Sequence, residues 1–385
     1  MGAPKTVVVL GGGVGGVVAA SELRKRLPSS HRVVLVDRER EHVFAPSLLW
    51  LIVGLREAES IKRPLERLER KGIEVLFGEV EKIDPAALRV TVSGKVLDGD
   101  YLIVSLGAEL APEIVPGLGR AGHGFYTLSD AKGLNAALEW FIQGRIVVLT
   151  ATPAYKCPAA PYEAALLIDA SCRKRGLRET VSIDFYAAEP EPMGVAGHEV
   201  SAAVRQLLQE RNIPYHPEHQ VTSVDTKAKR LDFANGVQAE FDLLIYVPPH
   251  RPPRVILDSA LAGETGWVSV DRHTLETRFP HVYAIGDVVS IPLKLGKPLP
   301  KAGVFAHKEA EIVARNIVAS IQSQPTSERF NGHGECFLEI GGRKAAFAGG
   351  DFYAEPRPLV KLHPPGLRWH LGKVLLEKSW LNRTL

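Results

Sequence analysis

Val7–Leu23, VVVLGGGVGGVVAASEL, is the stretch that decides the fold of this chain. A short apolar segment of high β-propensity runs into a glycine-rich turn, and a helical pattern follows directly. The turn contains G-x-G-x-x-G as Gly11, Gly13 and Gly16. Between a strand and a helix, these glycines permit a tight turn, the approach of a pyrophosphate and close helix–strand packing. The stretch therefore predicts a dinucleotide-binding Rossmann unit.

An acidic residue at the end of the next strand supports this prediction. Asp37 closes HRVVLVD about twenty residues after Gly16, where its carboxylate can bond a ribose hydroxyl. GIEVLFGEV and DYLIVSLG add further strands to the same sheet, and strand and helix patterns alternate along most of the chain. Such alternation indicates an α/β fold built on parallel sheets.

A second strand–loop–helix unit begins at GRIVVLT, but its loop, TATPAYKCP, contains no glycine. Pro153 has no N–H to offer a phosphate, and Tyr155 and Lys156 place bulk where a dinucleotide needs bare backbone. Glu189 still ends the following strand, as a ribose ligand would. We therefore predict a Rossmann-like frame whose nicotinamide site has been lost; a degraded but functional site is the alternative.

The segment HVYAIGDV indicates which dinucleotide the first unit binds. Gly286 and Asp287 end a strand there, and the carboxylate can meet the ribityl chain of a flavin. The chain then reaches PKAGVFAH, in which Ala302 and Gly303 open a helix. The positive end of that helix could face the pyrimidine end of the flavin and stabilise its reduced anion. The sequence therefore predicts FAD in the first unit.

The loop of the second unit carries a thiol. Cys157 precedes a helix whose start is marked by prolines, and the positive end of that helix is expected to lower the pKa of the thiol. Cys336 lies in the glycine-flanked segment NGHGECFLEIGG. The two thiols predict a redox pair; two unrelated buried thiols are the alternative. Cys172 falls on the apolar stripe of a helix and is predicted to be a core residue.

The order of these motifs resembles the two-dinucleotide-binding-domain flavoproteins of the disulfide reductase superfamily. Over about residues 5–320 the chain carries, in this order, GxGxxG, the acid at Asp37, SLG at 105–107, the second unit and AIGD. The resemblance implies that FAD is held by a set of glycines, carboxylates and one valine: Gly11, Gly13, Gly16, Asp37, Val80, Gly107 and Asp287.

Four segments follow from this order. Residues 1–110 form the first part of the FAD-binding domain, and residues 111–270 form the second Rossmann-like domain with its degenerate NAD site. Residues 271–322 complete the FAD-binding domain. Residues 323–385, rich in glycines, aromatics and basic residues, are expected to form a small C-terminal region that holds the second redox cysteine and amphipathic helices at a membrane or interface.

The segment CPAAPYE, with GECFLEIGGRKAAFAGGDFYAEPRP and a basic, aromatic C-terminus, resembles the sulfide:quinone oxidoreductases and the flavoprotein subunits of flavocytochrome c sulfide dehydrogenases. The resemblance covers nearly the whole chain. It implies that Cys157 and Cys336 form a disulfide or polysulfide bridge beside the flavin. Sulfide would be oxidised there to sulfane sulfur or polysulfide, and two electrons would pass through FAD to a membrane quinone. Tyr126 stands where many members carry a third redox cysteine, which favours a two-cysteine variant.

Three further side chains are candidates for catalysis. Glu163, in the first turn after Cys157, could shuttle protons, or it could only complement the helix dipole. Lys301 could stabilise the reduced flavin, or it could be a solvated loop residue without a role in catalysis. His198, in MGVAGHEV, resembles a family histidine near the sulfide channel, although a lone histidine is more often structural.

The C-terminal segment GLRWHLGKVLLEKSWL has two apolar faces when wound as a helix. One face is expected to pack on the body of the protein: Leu367, Leu371, Val374 and Leu375. The other is expected to face a bilayer interface: Trp369, Leu376 and Trp380. Cations lie between the faces: Arg368, Lys373 and Lys378. Tryptophans flanked by cations are typical of an interfacial helix, so we predict monotopic, peripheral membrane association; a helix packed in the fold or against a second copy is the alternative.

The overall composition excludes several classes of protein. The chain has 385 residues, of which 45% are hydrophobic and 24% are charged. These fractions are ordinary for a globular protein. A net charge of +3 without a basic–aromatic block argues against nucleic acid. Three cysteines exclude a disulfide scaffold, and no metal site is predicted. The N-terminus enters a strand at once without a leader, so we expect a non-exported, cytoplasmic protein on the membrane surface.

Other functions remain open on the sequence. A cytochrome-donating sulfide dehydrogenase is normally exported, and a type II NADH dehydrogenase needs the glycine loop that residues 150–156 lack. A flavin-bearing redox sensor would keep FAD without catalysis. A homo-oligomer is neither indicated nor excluded.

Overall fold

Two parallel sheets organise the chain in the computed structural model, which describes residues 3–385. The first sheet has five strands, in the spatial order Val282–Ala284, Tyr101–Val104, Thr6–Leu10, Arg32–Asp37 and Glu74–Phe77. All of its pairings are parallel. The two strands predicted in GIEVLFGEV and DYLIVSLG belong to this sheet, as expected. The strand at Val282–Ala284 returns the chain to the first unit and so places the AIGD segment beside the glycine turn.

The second parallel sheet also has five strands, in the order Gly122–His123, Leu243–Val247, Gly144–Thr150, Val181–Ala187 and Tyr215–His216. Its central strands are buried over most of their length, as expected for a parallel sheet covered on both faces. The predicted α/β fold with two Rossmann-like units is confirmed. The predicted domain boundaries at residues 110, 270 and 322 remain predictions.

Nine α-helices are found among residues 3–385: Val14–Arg26, Leu48–Leu51, Leu118–Ala121, Leu128–Trp140, Ala160–Lys174, His198–Glu210, Arg254–Leu257, Gly303–Ile321 and Leu367–Ser379. A π-helical turn, Trp380–Thr384, extends the last one. None of the helices in this part of the chain is both long enough and apolar enough to cross a bilayer.

Smaller antiparallel sheets complete the fold. Three of them have three strands each: Val80–Asp84, Arg89–Val92 and Lys95–Asp98; Val221–Asp225, Arg230–Phe233 and Gln238–Glu240; His333–Gly341, Lys344–Asp351 and Leu359–Gly366. Two are strand pairs: Glu41–Val43 with Lys62–Pro64, and Glu109–Leu110 with His250–Arg251. The last pair connects the two Rossmann-like units.

The C-terminal sheet is held against the helix that follows Cys157. Its first strand, His333–Gly341, packs along the helix Ala160–Lys174. Gly341 makes this possible, because a Cβ at that position would collide with Ala170. The packing brings Cys336, in the middle of the strand, toward the start of that helix. Cys172, at the other end of the helix, is 3% exposed, so its predicted place in the core is confirmed.

Candidate flavin and thiol site

The glycine turn has the geometry of a dinucleotide cradle. Gly11 has a φ of +101°, which side chains with a Cβ rarely adopt, and a Cβ at Gly16 would overlap the Gly11 carbonyl oxygen. Around Gly13, by contrast, a Cβ would meet no atom within 4 Å, so its backbone is open to a ligand. The turn leads into the N-terminus of the helix Val14–Arg26, where unpaired N–H groups favour phosphate.

Gly12, between the motif glycines, is bonded on both sides. Its N–H donates to the Asp37 carboxylate, and its carbonyl oxygen accepts a hydrogen bond from Nδ1 of His42 at 2.8 Å. The N–H of Gly78 donates to the Asp37 carbonyl at 2.9 Å, which brings the segment leading to Val80 alongside the ribose carboxylate. The structure thus gathers the predicted adenosine-side residues at one edge of the first sheet.

The AIGD turn supplies the opposite wall of the cradle. Gly286 has a φ of +74° and donates its N–H to the buried carboxylate of Glu309 at 2.6 Å. The ammonium of Lys301 donates to the carbonyls of Asp287, at 2.7 Å, and Val289, at 2.8 Å. Burial lowers the pKa of Lys301 to about 8, and burial raises the pKa of Glu309 to about 7. The sequence did not single out Glu309, although it lies eight residues after Lys301 on the helix that Gly303 opens.

Two helix N-termini meet at this cradle. A Cβ built at Gly303 would lie 3.6 Å from Val14, the first residue of the other helix. Gly107, in the loop that follows the strand Tyr101–Val104, has a φ of +71° and open space around it. Open glycine backbone, paired helix ends and the Asp37 and Asp287 carboxylates together fit FAD, whose diphosphate, ribose and ribityl groups need those partners.

Cys157 sits in a loop that is tied to the same cradle. Its backbone adopts a φ of +51°, a left-handed conformation that costs a non-glycine residue roughly 1–2 kcal/mol. Two hydrogen bonds hold it there: the Cys157 N–H donates to the Lys301 carbonyl at 2.6 Å, and the Tyr126 hydroxyl donates to the Lys156 carbonyl at 2.7 Å. Tyr126 therefore supports the loop that carries Cys157.

The structure brings Cys157 and Cys336 together. Both are free thiols that border the same apolar cluster, and a charge on Cys157 raises the pKa of Cys336. Both also feel the charges of Glu163 and Lys373. The bridge between the two sulfurs stays a prediction.

The expected lowering of the Cys157 pKa was wrong. Burial raises the pKa of Cys157 to about 12, and the carboxylate of Glu163 acts in the same direction. The helix end does contribute as expected, through the Ala160 N–H, but desolvation of the thiolate outweighs it.

Glu163 belongs to a buried polar network that the sequence did not reveal. Its carboxylate accepts a hydrogen bond from the Lys373 ammonium and another from the Glu339 N–H at 3.1 Å. Burial raises the pKa of Glu163, and Lys373 opposes that shift. Lys373 is 3% exposed and lies over the Trp50 ring, 4.7 Å from its centroid. A buried, hydrogen-bonded carboxyl–ammonium pair beside two thiols can hold and move a proton.

His198 is not part of this cluster. Its side chain is 80% exposed at the start of the helix His198–Glu210 and lies 3.4 Å from Glu191. Another histidine, His250, lies near the Cys157 loop, with its ring edge-on to Tyr126 at 5.6 Å. Nδ1 of His250 donates to the Pro248 carbonyl, so Nε2 is an acceptor, and within residues 3–385 it has no hydrogen-bond partner. Burial lowers the pKa of His250 to about 4.

The strand-end carboxylate that would bond a ribose in the second unit is hydrogen-bonded to the protein's own side chains. Oε1 of Glu189 accepts hydrogen bonds from the hydroxyls of Tyr155 and Tyr162, each at 2.6 Å. Oε2 accepts from Thr150, also at 2.6 Å. Both oxygens of the predicted relic carboxylate are therefore engaged by its own fold. A ribose would have to displace buried hydroxyls, which agrees with the predicted loss of the site.

The C-terminal helix departs from the prediction at most of the positions named. Leu367, Leu371 and Leu375, expected to pack inward, are exposed. Val374 does pack against the core, and Leu376 is exposed, as expected. Trp380, expected to face a bilayer, is buried, and Trp369 stacks on Phe347 at 4.4 Å.

The inward face of this helix is charged instead. It places His370, Lys373 and Glu377 at helical spacing against charged groups of the body. The partners are Glu339 for His370 at 2.9 Å, Glu163 for Lys373, and Arg56 for Glu377 at 2.8 Å. The helix therefore has a leucine-rich exposed face and a polar, ion-paired inward face, where two apolar faces had been predicted.

Comparison with known proteins first defines the class. The family described as pyridine nucleotide-disulphide oxidoreductase matches residues 5–310 of the chain. The chain therefore belongs to this family of flavoproteins.

Full-length relatives narrow the class. The sulfide-quinone reductase of Aquifex aeolicus (strain VF5) is 30% identical over 399 residues, covering 98% of this chain and 90% of the relative. The mitochondrial sulfide:quinone oxidoreductase of Mus musculus is 26% identical over 367 residues, covering 91% and 79%. The X-ray structure of the Aquifex aeolicus enzyme superposes with a TM-score of 0.90 at 28% identity, covering 99% of this chain and 91% of that one. Within the flavoproteins, the chain is a member of the sulfide:quinone oxidoreductase family, and FAD is its cofactor.

Proposed function

We propose that this protein oxidises sulfide to sulfane sulfur at Cys157 and Cys336 and passes two electrons through FAD to a membrane quinone. One arrangement supports the proposal: Glu163, on the helix that follows Cys157, accepts hydrogen bonds from Lys373 and from the Glu339 N–H of the strand that holds Cys336, while the Cys157 N–H donates to the Lys301 carbonyl. These hydrogen bonds connect the segments of both thiols with each other and with the proposed flavin cradle.

The overall reaction converts HS⁻, one proton and a quinone into one sulfane sulfur and a quinol. Hydrosulfide attacks the oxidised cysteine pair; a new S–S bond forms as the old one breaks, leaving a persulfide on one cysteine and a thiolate on the other. We assign the thiolate to Cys336. FAD, when bound, accepts two electrons from the sulfur and releases them to the quinone.

The protein's own groups manage charge and protons in these steps. The Lys373 ammonium lowers the pKa of Cys336 against the larger effect of burial, which raises it, so the cation favours the thiolate that the attack releases. Glu163 is a proton acceptor or donor at the thiols, because it is a buried carboxyl group hydrogen-bonded to the Lys373 ammonium, and burial raises its pKa. The unpaired Nε2 of His250 can accept the S–H hydrogen bond of hydrosulfide near the Cys157 loop, where Lys156 adds a cation.

A membrane surface best explains the exposed side of the C-terminal helix. Leu367, Leu371, Leu375 and Leu376 form a leucine patch, with Arg368 and Lys378 exposed beside it. Fully burying one leucine side chain is worth roughly 1.5–3 kcal/mol, so several could hold the protein at a bilayer interface. The cations complement anionic headgroups. The charged inner face then lies between the thiols and the lipid, where a quinone arrives.

Anaerobic titration of the purified flavoprotein with sulfide tests the proposal. We expect sulfide to bleach the flavin absorbance, and a short-chain quinone to restore it faster than cytochrome c does. NADH should leave the absorbance unchanged. Cys157→Ser and Cys336→Ser should each abolish bleaching by sulfide, while Cys172→Ser, which changes a core thiol, should retain it. Bleaching that persists in both site variants would contradict the dithiol mechanism.

A further inference from the structure

The last residues of the chain are buried against the FAD-binding unit. Trp380, Leu381 and Leu385 are each at most 5% exposed and pack into the same core as the first sheet. The ammonium of Lys71 donates to the carbonyls of Arg383, at 3.1 Å, and Thr384, at 2.8 Å. A chain terminus is usually frayed unless something ties it down, and here both packing and hydrogen bonds do so.

A hydrogen-bonded relay joins this segment to the glycine turn. The indole N–H of Trp380 donates to Nε2 of His42 at 2.9 Å. Nδ1 of His42 in turn donates to the carbonyl of Gly12 at 2.8 Å. Since Nε2 accepts and Nδ1 donates, the relay requires one tautomer of a neutral imidazole. Burial lowers the pKa of His42, which keeps it neutral.

The surroundings leave the relay little freedom. Phe44 and His307 flank the Trp380 ring, with centroids 6.0 and 5.9 Å away. At the other end, the N–H of Gly12 is already bonded to Asp37. Gly12 is therefore fixed at its N–H by Asp37 and at its carbonyl by His42, in the centre of the turn that meets the FAD diphosphate.

We propose that Trp380 and His42 are positioning residues for FAD: they hold the Gly12 peptide in its binding orientation. FAD binding and the seating of the C-terminal segment then stabilise each other, because coupling between two sites is reciprocal. The same segment continues the helix that bears the leucine patch, so cofactor retention depends on how that helix is seated. This proposal does not depend on the sulfide chemistry, because it concerns cofactor binding alone.

The rate at which FAD leaves the holoenzyme tests the proposal. It is measured as recovery of free-flavin fluorescence after dilution. Trp380→Phe, which removes one hydrogen bond of the relay, should release FAD about fivefold faster, and His42→Phe, which removes two, should release it at least as fast. His42→Gln should stay near the wild-type rate, because its amide can donate to Gly12 and accept from Trp380. Trp140→Phe is the matched control, since Trp140 is 83% exposed.

Hydrogen exchange in the same holoenzymes separates positioning from general weakening. In Trp380→Phe, exchange should rise at residues 380–384 and also at Gly12–Gly13, while the second sheet stays protected. A rise confined to the C-terminal segment, with FAD release as slow as in Trp140→Phe, would overturn the proposal. Equal loss of FAD in His42→Phe and His42→Gln would also overturn it, because only the glutamine can rebuild the relay.

Discussion

Lys373 donates a hydrogen bond to Glu163 in the interior, joining the C-terminal helix to the helix that begins after Cys157. Both side chains are at most 4% exposed. Taking two charges out of water is costly, and removal of one partner leaves the other uncompensated. The pair is therefore sensitive to single substitutions, and its position beside two thiols makes the consequences measurable.

Removal of the lysine should destabilise the protein more than removal of the pair. We expect Lys373→Met to lower the free energy of unfolding by about 3–5 kcal/mol, and the double variant Glu163→Gln/Lys373→Met to recover much of that loss. Sulfide-driven flavin reduction should fall at least about tenfold in both, because the proton carrier or its partner is gone. Denaturant unfolding and stopped-flow absorbance measure these effects. Lys378→Met, at an exposed position of the same helix, is the control; an equal loss there would contradict the assignment.

The reactivity of Cys157 should follow the charges around it. Burial raises the pKa of Cys157 to about 12, with Glu163 acting in the same direction and Lys373 against it. Glu163→Gln should therefore speed alkylation of Cys157 by iodoacetamide at pH 8, and Lys373→Met should slow it, because only the thiolate reacts. Mass spectrometry of the reduced protein measures the rate at each cysteine. Unchanged rates in both variants would show that the pair does not act on the thiol.

Glu309 should give stability a dependence on pH. Burial raises its pKa from 4.5 to about 7, so the folded state binds a proton that the unfolded state has released between those values. The contribution of Glu309 to the free energy of unfolding is thus fully present at acid pH. It falls by roughly 3 kcal/mol as the pH rises from about 4.5 to about 7. Glu309→Gln should remove that loss, and Glu199→Gln, at an exposed position, should not. If the free energies of unfolding of the wild type and of Glu309→Gln change in the same way with pH across this range, the raised pKa of Glu309 is refuted.

The leucine patch should determine membrane association. Leu371→Glu/Leu375→Glu should reduce co-flotation with vesicles of anionic phospholipid by more than about tenfold, because both charges would have to enter the interface. Flavin reduction by sulfide should remain, while reduction of a long-chain quinone in vesicles should fall. Leu257→Glu changes a leucine that is 43% exposed on a different helix and should leave flotation intact. Equal flotation of all three proteins would rule out the patch as the contact.

A single substitution in the second unit should not make the protein reducible by NADH. Tyr155→Phe removes one of two tyrosine hydroxyls bonded to Oε1 of Glu189. It should lower the free energy of unfolding by about 1 kcal/mol and still give no bleaching by NADH, because Pro153 and Lys156 continue to obstruct the phosphates. Rapid bleaching by NADH in wild type or variant would show that the site is open.

The local patterns of the sequence identified the fold correctly, and the assignment of individual residues to the flavin cradle stays a prediction. Gly11, Gly16 and Gly286 need glycine because of the backbone turn or a close approach, and such requirements are readable in a few consecutive residues. Burial was also predictable where it follows helix spacing, as for Cys172. The proximity of Cys157 and Cys336 was expected from the family resemblance. Local sequence patterns could not have shown this proximity, because the two cysteines are 179 positions apart in the sequence.

The sequence by itself determined the two Rossmann-like units and the glycine turn of the first, because glycine spacing and strand–helix alternation act over short stretches of chain. Only the tertiary structure decided which face of the C-terminal helix is covered and what charge surrounds the thiols. A prediction from leucine spacing takes the leucine-bearing face of a helix to be the one that packs on the protein core. Here Glu163, Glu339 and Arg56 supply ionic partners from distant segments, so the charged face turns inward and the leucines turn out. The pKa of Cys157 depends in the same way on burial by remote residues, which outweighs the helix end beside it.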